Sequence, residues 1–328
     1  MTRAPDAIDR DWVRRSLSGP ISAVHPVFAR DGAIDGDGIR TQIERNLGAG
    51  SGVMLLTYGD SLHSLLTDAE IGELLQIVVQ QTAGRAMVVA ADRQWWTGKE
   101  IEFAKFARAA GADVLMVLPP FWGGSVTRDS LVAHYRAVAD HVPVMLVTAL
   151  FAANQAVGLD VIARLADEVP NIVAIKDDVT GEFARRMALL VHDRWAVLSG
   201  GQKQNHLDVL PYGCDGYMST YLHFMPEIAH AYWRTIQAND LPAAAAIIRA
   251  YDQPWFDLAF VLDGNFDAMF HASQEVFGIG GRWRRPPYHS LTDAEMERVR
   301  AMYAALPKLA DVVPGYTAGA ALGPGGRP

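Results

Sequence analysis

The sequence predicts an α/β fold, a closed parallel (β/α)8 TIM barrel followed by a C-terminal helical extension. Three observations carry this reading. Eight short apolar runs lie between residue 20 and about residue 226, stretches with apolar residues every three or four positions separate them, and beyond Pro226 the pattern turns purely helical. An open dinucleotide-binding sheet is disfavoured, because no Gly-x-Gly-x-x-Gly follows the first run.

The strand candidates are, in order, 21–24, 52–57, 86–91, 113–118, 144–148, 172–176, 196–199 and 216–219. Their short, nearly continuous apolar character suits strands buried on both faces. Helical periodicity fills 37–48, 68–82, 99–110, 130–139, 160–168, 181–192 and 205–212 between them. Punctuation agrees: Ala109-Ala110-Gly111-Ala112-Asp113 stops a helix before a strand, and Val169-Pro170-Asn171 does the same before the sixth run. After the eighth run, helices are expected over 228–238, 242–262, 269–277 and 293–306. The organisation is therefore an N-terminal extension (1–18), the barrel (19–226), a helical region (227–312) and a Gly/Ala/Pro-rich tail (313–328) expected to be disordered.

Composition bounds the function class. The chain has 328 residues, 50% hydrophobic and 20% charged, with a formal charge of -8 spread without an acidic block or a basic stripe. That balance suits a soluble enzyme and leaves no footprint for nucleic acid. Cys214 is the only cysteine, which excludes an intrachain disulfide and a cysteine-cluster metal site. The first 17 residues lack the apolar core of a signal peptide, and no apolar run reaches membrane-spanning length. A cytoplasmic protein acting on a small molecule is expected, with no membrane partner. His134, His141, His192 and His206 lack zinc-site spacing, and the acids Asp177, Asp178 and Asp208 read as solvated rather than as a Mg²⁺ site, so no metal and no organic cofactor is expected.

In a barrel of this class, chemistry sits at the C-terminal ends of the strands. The residues there are His25; Thr57, Tyr58 and Asp60; Asp92 and Arg93; Phe121 and Trp122; Thr148; Lys176; Gly200, Gly201 and Gln202; and Ser219, Tyr221 and His223. Lys176 stands out. The chain writes 24 arginines and only five lysines, yet a lysine closes the apolar run Ile172-Val173-Ala174-Ile175. Its amine can lose a proton and attack a carbonyl, which a guanidinium does not do. Burial at a barrel mouth is expected to lower its pKa. The alternative is a lining cation paired with Asp177 or Asp178, or one reaching to solvent.

These positions, taken in order, resemble the family of dihydrodipicolinate synthase and N-acetylneuraminate lyase, class I Schiff-base enzymes acting on pyruvate or related 2-oxo acids. The resemblance spans roughly residues 19 to 306. It rests on Pro26 to Phe28 with Asp31-Gly32-Ala33-Ile34-Asp35, on Thr57-Tyr58-Gly59-Asp60 with Leu66-Thr67-Asp68-Ala69-Glu70, and on Ala109 to Asp113 leading to Pro119-Pro120-Phe121-Trp122. Further along it rests on Pro170 to Asp177, on Gly213 to Ser219 with Pro226, and on Arg285-Pro286-Pro287. It implies that Lys176 forms the imine and that Thr57 with neighbouring backbone NH groups binds the substrate carboxylate.

The chain departs from the family pattern at several places, among them the turn after the second strand, where Tyr58 and Asp60 stand for a threonine and a glutamate, and His25, which stands for a threonine before Pro26. The fifth-strand tyrosine that shuttles protons is matched by Val147, and residues 151–158 hold no arginine to grip a distal carboxylate, which argues against dihydrodipicolinate synthase activity itself. Tyr58, Tyr221 and His25 are the candidate replacements for the shuttle, beside Lys176. Asp60, Trp122, Thr148, Gly201 and Ser219 join Thr57 as candidate substrate-binding residues, and Trp122 with Phe121, Trp95 and Trp96 suggests an apolar pocket. The resulting expectation is a lyase, either aldolase or dehydratase, acting through Lys176. A catalytically impaired homologue with a binding or regulatory role is the alternative. The resemblance also implies a homo-oligomer, a tetramer or a dimer.

Overall fold

A computed structural model describes residues 8–120 and 125–313. Its strands are β1 (Gly19–Ile21), β2 (Val53–Leu55), β3 (Met87–Ala91), β4 (Val114–Val117), β5 (Val144–Val147), β6 (Ile172–Asp177), β7 (Ala196–Ser199) and β8 (Gly216–Met218). The helices are α1 (Arg10–Ser16), α2 (Gly36–Gly48), α3 (Asp68–Thr82), α4 (Thr97–Ala110), α5 (Arg128–Ala139), α6 (Gln155–Glu168), α7 (Gly181–Val191) and α8 (Gln202–Val209), then α9 (Pro226–Gln237), α10 (Leu241–Ile247), α11 (Gln253–Ala259), α12 (Asn265–Val276), α13 (Asp293–Ala305) and α14 (Leu309–Val312). The expected tail beyond residue 313 lies outside the described residues.

Two compact units divide the chain: one holds the residues up to Ala23 and Ser51–Met218, the other Val24–Gly50 and the residues from Ser219 on. In the first unit all eight strands are parallel, in the order β1-β8-β7-β6-β5-β4-β3-β2. The isolated parallel bridge Ala23 to Leu55 joins the two outer members, so the sheet nearly closes on itself as a barrel. Every strand residue is buried.

The N-terminal ends of the strands are locked by a repeated device. In Gly111-Ala112-Asp113 and Gly213-Cys214-Asp215, the aspartate just before a strand takes the backbone NH of the preceding strand on its carboxylate, Val88 at 2.8 Å and Val197 at 2.8 Å. Asp215 also receives the Arg14 guanidinium at 2.9 Å on both oxygens. Arg14 sits on α1, within the N-terminal extension to which the sequence assigned no element. The helix forms because Asp9 caps it through the Asp11 NH and because Val13 and Leu17 bury completely against the barrel unit.

At the opposite ends, the Asp92 carboxylate accepts the Leu118 NH at 3.2 Å through each oxygen, tying the end of β3 to the end of β4. Asp92, Glu100 on α4 and Tyr135 on α5 are all fully buried. Burial pushes the Asp92 carboxyl up to about 7. It raises Glu100 well above the carboxylate range, helped by the Asp92 charge. A carboxyl that holds its proton more tightly when folded stabilises the fold below its unfolded pKa, and that contribution is lost as pH rises through the folded value. Glu100→Gln, the neutral isostere, is therefore expected to match the wild type in thermal unfolding in acid, below the ordinary carboxylate range, and to exceed it increasingly as pH rises above that range.

The second unit holds α2 and α9 to α14. The single helix expected over 242–262 is instead α10 and α11 joined by a π-helical turn, Ile248–Asp252, which places Tyr251 and Asp252 in the interior.

Candidate active site

β6 carries the lysine, and its register explains the surroundings. Ile172 pairs with Val144 and Ala174 with Met145, so β6 has one extra residue, Val173, at a bulge. Beyond it Ile175 pairs with Leu146 and Lys176 with Val147. Val147, 3% exposed, is thus the β5 neighbour of the lysine on the same side of the sheet, as the alignment of motifs implied, and it offers no proton.

Lys176 is buried, and its Nζ lies 2.5 Å from the Asp178 Oδ1. The sequence left Asp177 and Asp178 as equal partners; the geometry separates them. Asp177 Oδ1 accepts the Thr148 hydroxyl at 2.8 Å and the Val179 NH at 3.2 Å, while its Oδ2 accepts the Thr180 NH at 3.0 Å. Asp177 therefore holds the β6 to α7 turn and Asp178 faces the amine. Thr148 links the two, because its hydroxyl also accepts the Asp178 NH at 2.8 Å. The candidate ligand-binding hydroxyl at Thr148 is in this way committed to positioning the lysine loop.

Electrostatics correct one expectation. Burial does act to lower the Lys176 pKa, but the carboxylates of Asp178, Asp60 and Asp177 outweigh it and hold the ammonium above its ordinary value. The resting amine is a protonated, paired group rather than a free nucleophile.

Asp60 belongs to the loop after β2. There the Thr57 hydroxyl accepts the Asp60 NH at 2.9 Å, and the Thr57 NH donates to the Ser61 hydroxyl at 3.0 Å. Thr57 and Asp60 thus close a tight turn whose acid adds its charge to the field at Lys176, with Tyr58 between them partly exposed. After β7, Gly200 donates its NH to the Asp177 carbonyl at 2.7 Å, and Gly201 is the residue before α8. A Cβ added at Gly200 would collide with Asp178 Oδ1 and would lie 2.8 Å from Lys176 Nζ. The sequence placed Gly200 and Gly201 at the strand ends and Gly201 among the candidate substrate-binding residues, but no pattern showed that Gly200 makes room for the Lys176–Asp178 pair.

Trp122 and Phe121 lie outside the described residues. Trp95 packs edge-on against Phe103, ring centroids 4.8 Å apart, in a groove of about 400 Å³ between α3 and α4. That groove is not lined by the lysine or its acids. Trp96 is 71% exposed.

The remaining candidates, His25, Ser219 and Tyr221, belong to the second unit. His25 stacks on Phe270 with ring centroids 3.6 Å apart, and its NH donates to the Gln42 Oε1 at 2.7 Å. Ser219 accepts the Tyr221 NH at 3.3 Å. Tyr221 donates its hydroxyl proton to the Tyr251 carbonyl at 2.7 Å, and burial raises its pKa well above the phenol range. A phenol so placed exchanges its proton poorly near neutrality. Tyr221→Phe is expected to cost about 1 kcal/mol of stability in denaturant unfolding, the worth of one buried hydrogen bond, and to leave imine-forming kinetics within about threefold of wild type.

Among the described residues no cluster of three or more His, Cys, Asp or Glu side chains could hold a metal, and no helix is long and apolar enough to cross a membrane.

Comparison with known proteins agrees with the fold. The Dihydrodipicolinate synthetase family matches residues 16–306. A probable 5-dehydro-4-deoxyglucarate dehydratase of Bradyrhizobium sp. (strain ORS 278) is 28% identical over 294 residues, 88% of this chain and 92% of that protein. A 4-hydroxy-tetrahydrodipicolinate synthase of Stenotrophomonas maltophilia (strain R551-3) is 36% identical over 216 residues, 64% of this chain and 71% of that protein. The solved dihydrodipicolinate synthase from Bacillus clausii superposes with a TM-score of 0.76 at 21% identity, over 89% of this chain and 99% of that one, a likeness of fold.

Proposed function

The chain belongs to the dihydrodipicolinate synthetase family of Schiff-base lyases, and from that premise we propose that Lys176 forms the imine through which it acts on pyruvate or a related 2-oxo acid. The observation that carries the proposal is a buried amine at the end of β6 with a carboxylate 2.5 Å from its nitrogen. In this reading Nζ attacks the C2 carbonyl, water departs, and the protonated imine draws electrons from the adjacent carbon, allowing a carbon-carbon or carbon-oxygen bond to break. The turn at Thr57, with its backbone NH groups, is the proposed seat of the substrate carboxylate.

Relatives include both dehydratases and synthases. With no arginine in 151–158 to hold a second carboxylate as the synthase branch does, we favour dehydration or aldol cleavage of an acyclic 2-oxo acid. A cytoplasmic homo-oligomer, tetramer or dimer, completes the proposal, and light scattering on the purified chain measures its mass. The catalytic part is tested by incubating the protein with pyruvate and with longer 2-oxo acids, reducing with borohydride and weighing the intact protein. At least one substrate is expected to leave a single covalent adduct; absence of an adduct across the whole panel would contradict the reading.

A further inference from the structure

Imine formation needs a group beside the nitrogen that takes a proton and returns it. The ammonium must be deprotonated before it attacks, and the carbinolamine oxygen must be protonated before it leaves as water. In the barrel unit Asp178 stands in that place. Its Oδ1 is 2.5 Å from Nζ, and its side chain is 27% exposed against 7% for the lysine, so one carboxylate reaches both the buried amine and the solvent side. Gly200 keeps the place open, since any Cβ there would collide with the same carboxylate oxygen. Asp177 is occupied by Thr148, Val179 and Thr180, and Val147 beside the lysine has nothing to titrate.

We propose that Asp178 is a catalytic acid-base residue, carrying the protons that pass between Lys176, the substrate carbonyl oxygen and the departing water. The inference rests on the reading of Lys176 as the imine-forming residue. Asp178 first takes one proton from the ammonium, leaving a neutral amine and a neutral acid. The amine lone pair adds to C2, the carbonyl π pair moves onto oxygen, and that oxygen takes the proton back from Asp178. The nitrogen then passes a second proton through Asp178 to the hydroxyl; the carbon-oxygen bond breaks, water leaves, and the nitrogen lone pair closes the iminium. Of the three ammonium protons two end on water and one on the iminium, and Asp178 is again a carboxylate.

The competing role is a counter-ion that merely keeps Lys176 charged. The two roles predict opposite signs for Asp178→Asn. Removing a counter-ion eases loss of the lysine proton, with the charges of Asp60 and Asp177 still acting on the amine, so adduct formation at neutral pH would hold steady or quicken. Removing a proton carrier slows it by about 10²- to 10⁴-fold. The test is the rate of borohydride-trapped adduct formation with pyruvate for the wild type, Asp178→Asn, and Asp178→Ala with and without added formate. A slow Asp178→Asn together with an Asp178→Ala whose rate formate restores in part supports the proposal. An Asp178→Asn rate at or above wild type, or a slow Asp178→Ala that formate leaves unchanged, overturns it. Should the wild type itself form no adduct, the functional reading fails and takes this inference with it, a result distinct from a fast variant.

Discussion

Lys176→Ala is expected to remove turnover of the 2-oxo acid substrate and the borohydride adduct together, with turnover falling by roughly 10⁵- to 10⁶-fold, the scale of losing a covalent nucleophile. No neighbour can take over. Lys99 lies on α4 above Trp95, and Lys203 is buried on α8 over the Tyr217 ring. Lys176→Arg separates charge from nucleophilicity. The guanidinium can still pair with Asp178 within the field of Asp60, but it cannot attack a carbonyl. Its turnover should fall as far as that of Lys176→Ala. The truncation leaves Asp178 without its cation, but that side chain is 27% exposed and can be hydrated, so the alanine variant should still fold. Steady-state turnover and thermal unfolding of both variants check this. Substantial activity in Lys176→Arg would mean that the lysine serves only as a charge.

Gly200→Ala is the next largest expected effect. The methyl group would overlap the Asp178 carboxylate and sit 2.8 Å from both Lys176 Nζ and the Asp177 carbonyl. Backbone at the β7 end cannot easily yield, because the Gly200 NH is held by that same carbonyl at 2.7 Å. The flexible partner is Asp178, which would have to rotate away from the amine. Turnover should drop by about 10²- to 10³-fold, in the range for losing a placed acid-base group, with a stability cost of about 1 to 3 kcal/mol for overpacking. Gly201→Ala is a useful contrast: the nearest atoms a new methyl would meet belong to the Asn205 side chain rather than to Asp178 or Lys176. Its turnover should fall less than that of Gly200→Ala.

Much of this site was legible in the chain. A lysine ending a β-branched run in a sequence that otherwise prefers arginine marked the residue proposed as nucleophile, and the eight apolar runs placed it on the sixth strand, where β6 lies. The position of Val147 was legible too, and the observed register sets it beside Lys176. The partner of the lysine was not. Asp177 and Asp178 are adjacent at a strand end, and which one turns toward the amine depends on Thr148 and two backbone NH groups fixing the other. The sign of the lysine pKa escaped for a related reason. Burial could be anticipated from the apolar run, but the three carboxylates that outweigh it come from the end of β6 and from the distant loop after β2. Helix α1 was missed because its stability comes from Val13 and Leu17 burying against distant strands and from Arg14 reaching Asp215, none of which is local.

Peptide mapping after borohydride reduction in the presence of a 2-oxo acid locates the lysine that forms the imine. The reduced adduct is expected on the peptide carrying Lys176 and on no other lysine. An adduct located on Lys99, Lys105, Lys203 or Lys308, with Lys176 unmodified, would contradict this assignment.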